Sequence, residues 1–158
     1  MKVSAMTAHH QRGMALLVSL VFLLLLTLIG ISSMQNATLQ EKMAGSVALR
    51  NQSFQAAEAV LRIGESAVQL DTYALPVCSG SKCAPPGESS TITGAGFNST
   101  SGVTWIAAGG GFYGVQNIGT TWDAVNMPSG STTLYRVTAV AIAGNNVRTV
   151  VESIYAKP

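Results

Sequence analysis

Side chains capable of chemistry are few and scattered in this chain. His9 and His10 are its only histidines, so no imidazole beyond residue 10 is available for acid–base or metal work. The acids Asp71, Glu88, Asp123 and Glu152 stand far apart, without metal-ligand spacing. The stretch "GGGFYG" at 109–114 is Gly-rich but has neither the Lys nor the following helix of a phosphate-binding loop. It reads as a flexible turn entering a strand. Trp105, Trp122 and Tyr113 would suit an exposed binding patch or a core, and the core reading is preferred. No catalytic set emerges, and neither an enzyme nor a bound cofactor nor a metal is expected.

The two cysteines, Cys78 and Cys83, bracket a Ser/Gly-rich turn in "CSGSKC". Two ligands without a histidine do not make a zinc site. A disulfide closing this small loop is the better reading, worth on the order of 2 kcal/mol in the chain-entropy model. It implies an oxidising compartment such as the periplasm or the cell exterior.

Charge argues against a nucleic-acid partner. Formal net charge is +2, and two of the nine basic residues, Lys2 and Arg12, precede residue 13. The remainder balances seven basic against seven acidic residues, with no basic stripe. Only 10% of residues are charged against 47% hydrophobic, as in a chain partly housed in lipid. Such a length suffices for one small domain plus a membrane segment.

That segment is conspicuous. Met14 to Ile31 carries no charge, and Ser19 and Thr27 are its only hydroxyl residues. As a helix it would be roughly 27 Å long, close to a bilayer's hydrocarbon thickness. A secretory signal has a shorter apolar core and a small-residue cleavage site, for which "SMQNA" is a poor match. A buried core helix would need more protein around it than this chain supplies. A membrane span is the favoured reading. Lys2 and Arg12 before it, and the cancelling Glu41 and Lys42 after it, put the N-terminus in the cytoplasm.

A short basic leader ending in Gly13, followed at once by this run, resembles the class III signal of type IV pilins and pseudopilins. The resemblance implies cleavage by prepilin peptidase between Gly13 and Met14, with N-methylation of Met14 as the new N-terminus. Residues 1–13 would be the leader, 14–31 the transmembrane helix, 32–70 an amphipathic helix continuing it, and 71–158 a loop-rich β head. His9 and His10 would then be lost with the leader. Most pilins carry Glu at the fifth position after the cut; here it is Val18. A carboxylate in lipid costs about 2.5–3.5 kcal/mol on insertion scales and is retained for a task. In the family that task is pairing with a neighbour's terminal amine, which Val18 cannot do. A one-sided joint suits a terminal subunit.

The wording downstream narrows the likeness. "LRNQSFQAAEAVLRIGE" at 49–65 is similar to the N-terminal region of PilX-type minor pilins, and the similarity covers roughly residues 11–68. Lack of an acid at the Val18 position is usual in that group. The chain also resembles the tip pseudopilin of type II secretion. What the resemblance implies is an assembly subunit at or near the pilus tip, priming pilus assembly and supporting adhesion and twitching motility. Its partners would be other minor pilins, the major pilin, a tip adhesin, prepilin peptidase and the inner-membrane assembly platform. Its place would be the inner membrane, single pass with the head periplasmic, and then the fibre tip. A membrane-anchored binding module or enzyme is the alternative of another class.

The fold expected is α+β: a long N-terminal helix packed on a small antiparallel sheet. After the span, apolar residues recur at Leu39, Met43, Val47, Phe54, Leu61 and Val68, widened by Ala44, Ala48 and Ala57, a helical spacing that predicts one packing face. Gly30, Ser32 and Ser33 mark the weakest spot of the rod. Residues 71–103 read as loop, rich in Pro, Gly and Ser. Strands follow in "GVTWIAAG" and "GFYGVQNIG". The clearest unit is a hairpin in "TLYRVTAVAIAGNNVRTVVESIYAKP", turning at "AGNN". Both hairpin faces carry apolar residues, and which one meets the helix is left open.

Overall fold

The computed structural model describes residues 11–124, 130–144 and 146–158. His9 and His10, most of the expected leader, and Asn145 in the hairpin turn lie outside the described residues. The elements are a helix α1 (Gln11–Gln69) and five strands, β1 (Gly96–Phe97), β2 (Thr104–Ala108), β3 (Gly111–Thr121), β4 (Thr132–Ala143) and β5 (Val147–Lys157). The strands form one antiparallel meander in the order β1-β2-β3-β4-β5, so the fold is α+β as expected. Two compact units divide the chain, Met1–Gly45 and Ser46–Pro158.

The first unit is helix with no core of its own. Its apolar run is exposed throughout and is long and apolar enough to cross a membrane. The hydroxyls inside it are satisfied locally: Ser19 Oγ donates to the Leu16 carbonyl and Thr27 Oγ1 to that of Leu24, both at 2.8 Å. That is what a polar group in an apolar medium requires. Gly30, Ser32 and Ser33 are helical.

In the second unit the helix packs by small residues. Ser53, Ala57, Val60, Gly64 and Val68 are buried, spaced four, three, four and four apart along one face. This overturns part of the stripe expected from the apolar spacing. Within this unit Ala57 and Val68 are on the packing face and Leu61 packs against the core, but Val47 and Phe54 are exposed. The cause is proximity. A Cβ added at Gly64 would stand 2.7 Å from Val137 Cγ1 and 3.0 Å from Tyr113 Cδ2. Leu or Phe on this face would hold the helix off the sheet, so the contact selects small side chains.

The helix covers the sheet face of Tyr113, Val115, Tyr135, Val137 and Ala139, which form a core with Val60 and Val68. Two polar links add to it: Ser53 Oγ with Thr149 Oγ1 and Ser153 Oγ with Glu65 Oε1, each 2.6 Å. Lys157 Nζ donates to the carbonyls of Leu70 and Tyr73, just past the helix end.

Residues 71–103 cover the opposite face rather than trailing as loop. They contain 3-10 turns at Gly80–Cys83 and Gly87–Ser90 and the short strand β1. Val103, Trp105 and Val140 make a second core there, with Ile92 and Phe112 against it. The chain must come close to the sheet: a Cβ on Gly114 would collide with Val103. The hairpin is as expected, with Tyr135 opposite Tyr155 and Ala139 opposite Val151. Its turn has positive φ at Gly144 and Asn146, the left-handed geometry that favours these residue types.

Candidate functional site

Of the three positions singled out near the N-terminus, Gly13 and Met14 lie within α1, and a Cβ on Gly13 would meet nothing within 4 Å. Met14 and Val18 stand four residues apart on one helix face, where they line a shallow apolar groove with Phe22 and Leu26. Met14 is 65% exposed and Val18 47% exposed. Val18 thus presents an uncharged, apolar side chain to a surface that Ser19 also lines.

Cys78 and Cys83 are joined by a disulfide, with their Cα atoms 5.2 Å apart. The loop that they close is held by the sheet as well. At one end the Cys78 N–H donates to the Asn117 carbonyl at 2.8 Å, and Asn117 Nδ2 donates to that of Leu75 at 2.8 Å. At the other, Gln116 Nε2 donates to the carbonyls of Lys82 at 2.6 Å and Ala84 at 3.1 Å. Arg136 Nη1 reaches the Cys83 carbonyl at 2.6 Å, while its Nε is paired with Glu152 Oε1 at 3.1 Å. Gln116 and Arg136 are cross-strand partners in β3 and β4.

Sequence reasoning missed this clamp. Its signal was present: Gln116 and Asn117 interrupt an otherwise apolar strand and are only 6% exposed. Buried amides need partners, and the turns of residues 71–103 supply the carbonyls.

A second anchor holds the turn at Gly87–Ser90. Glu88 Oε1 accepts from Trp105 Nε1 at 3.1 Å and from Ser101 Oγ. Burial pushes the Glu88 carboxyl up, but bonds from Ser101, its own backbone N–H and Trp105 outweigh it and leave the pKa below the ordinary value. Tyr73 packs edge-on against Tyr135, ring centres 5.8 Å apart. Burial chiefly, then Tyr113 and Tyr135, push the Tyr73 hydroxyl up to about 12.

Trp105 and Tyr113 are core residues, as preferred from sequence, but Trp122 is 76% exposed. Asp71, Glu88, Asp123 and Glu152 do not converge: among the described residues no three His, Cys, Asp or Glu side chains gather to hold a metal.

Neither the comparison with curated proteins nor that with solved structures returned a match. The family model described as PilX N-terminal matches residues 12–62. This interval contains the apolar run, Met14, Val18 and the start of the small-residue face at Ser53 and Ala57. Over residues 12–62, about a third of its length, the chain is thus similar to the N-terminal region of the PilX family, which is consistent with a PilX-type minor pilin of type IV pili.

Proposed function

We propose that the chain is a minor pilin acting at or near the fibre tip. It serves as a structural subunit, without catalysis of its own, that primes assembly and supports adhesion and twitching motility. The carrying observation is Val18: it gives the N-terminal helix an uncharged, apolar side chain where a carboxylate would otherwise pair with a neighbour's amine. On this reading prepilin peptidase cuts between Gly13 and Met14 on the cytoplasmic side, and Met14 is methylated. The head then lies in the periplasm, a setting that suits the Cys78–Cys83 disulfide. Other minor pilins, the major pilin, a tip adhesin and the inner-membrane platform are its partners.

Co-expression with prepilin peptidase tests the processing step. The mature protein is expected to begin at Met14; an unchanged N-terminus would sink the reading. Gold labelling of isolated fibres tests the position. Labels confined to ends agree with it, and labels spread along the shaft refute it. Deletion should abolish motility rather than protein secretion.

A further inference from the structure

The head carries a groove of mixed lining on the side of the disulfide loop, with Ser79, Ser101, Thr104, Gln116 and Asn117 among its polar residues. It has a volume of about 350 Å³ and lies between residues 73–79 and the β1–β2 edge. Val77, Phe97 and Ile106 line it and are 59, 67 and 43% exposed, so three large apolar side chains face solvent in one depression. Val115 is also in the lining. Lys82 is the one charged residue among those lining it. Its stem lies across Gly102, where an added Cβ would meet Lys82 Cδ at 3.2 Å. The ammonium has no acidic partner among the described residues. Three exposed apolar side chains beside a single cation suit a large amphipathic group, apolar in body and with a polar handle, next to a carboxylate.

The same chain displays such a group. Trp122 is 76% exposed, the most exposed large hydrophobic among the described residues, and the next residue is the exposed Asp123. Trp122 is not in the groove's lining. It lies five residues beyond Asn117, roughly 17 Å along an extended chain. We infer that Trp122 and Asp123 of one copy dock in the Val77–Phe97–Ile106 groove of a second copy, with Asp123 meeting Lys82. The indole matches the exposed Val77, Phe97 and Ile106 side chains in apolar character, and Asp123 and Lys82 are of opposite charge. An exposed indole that closes such a pocket is the kind of anchor that dominates an interface. The contact pairs two different patches, so it closes as a reciprocal dimer or propagates from head to head. It involves the head alone and stands apart from processing at Gly13.

The full-length protein in detergent micelles, disulfide intact, provides the test. A benzophenone-bearing phenylalanine replaces Trp122, and photo-crosslinked dimers are mapped by mass spectrometry. Crosslinks to Val77, Phe97 or Ile106 of the other copy are expected. Lys82→Glu alone and Asp123→Lys alone should each reduce dimer yield at least fivefold. An equal mixture of the two should restore it, because every groove then meets a key of opposite charge. Both positions are exposed, and disulfide formation reports that each variant folds. Absence of dimers, crosslinks confined to the apolar helix, or a mixture no better than its components would each overturn the inference.

Discussion

Arg136 Nη1 stands 2.6 Å from the carbonyl oxygen of Cys83, so a strand side chain grips the backbone of a disulfide-bonded residue. The guanidinium is bent to this task by Glu152, which takes its Nε at 3.1 Å. The loop is thereby fixed twice, covalently and by hydrogen bonds from β3 and β4.

Removing the guanidinium should be costly. Arg136→Ala leaves the Cys83 carbonyl without its donor and Glu152 without its counter-ion, at about 2–3 kcal/mol in urea unfolding. Glu152→Gln should cost under ~1 kcal/mol, since Glu152 is at the surface and screened. Equal losses would mean that the ion pair, not the grip on the loop, is what matters.

The disulfide should be dispensable for loop placement. The Cys78→Ser, Cys83→Ser double variant is expected to lose on the order of 2 kcal/mol. The Cys78 N–H should keep its protection from hydrogen exchange, because Asn117 still accepts from it. Full exposure of this amide at neutral pH would show that the clamp fails without the covalent tie.

Packing of the helix on the sheet depends on Gly64. Gly64→Ala puts a methyl group 2.7 Å from Val137 Cγ1 and should destabilise by about 1–3 kcal/mol despite the better helix propensity of Ala. Phe54→Ala, at a residue 47% exposed, should change head stability by no more than ~1 kcal/mol. The reverse ranking would restore the large-residue stripe as the packing face.

These two positions also mark where sequence reading reached its limit. Helical spacing was legible, because periodicity survives whichever side of the helix is buried. The choice of face was legible only in part: Val47 and Phe54 outweigh Gly64 in hydrophobicity, but close approach to Val137 selects by size. The hairpin was legible from alternating residues around "AGNN". Which of its faces met the helix depended on residues 71–103, whose anchoring runs through single polar contacts such as Gln116 with Lys82 rather than a periodic pattern. The disulfide was legible from two cysteines and a short turn; the clamp beside it was not, since its donors lie more than thirty residues away in the chain.

Acid should loosen the Gly87–Ser90 turn. The folded pKa of Glu88 is lowered, so the unfolded chain binds the proton more readily. The stabilisation is present above the unfolded carboxylate value of about 4.3 and is lost as pH falls through the folded one. Glu88→Gln should therefore flatten the fall in stability over that range in urea titrations at stepped pH. An unchanged slope would remove Glu88 from the account.

Val18→Glu reaches from the helix surface to the fibre. A carboxylate at this depth costs about 2.5–3.5 kcal/mol on insertion scales, an amount a span with no other charge from Met14 to Ile31 tolerates, so membrane insertion should persist. On the tip reading, the new acid supplies the pairing group that the native chain lacks. It lies on the same helix face as the Met14 amine that would receive a neighbour's acid. The variant should then be accepted on both sides of the joint, and gold label should spread from fibre ends into the shaft. Label that stays at the ends would mean that something other than the missing acid excludes this subunit from the shaft. The head and the exposed helix residues Met43, Val47 and Phe54 are then the first places to look. A Val18→Gln variant separates charge from polarity: it should insert as readily and leave the label at the ends.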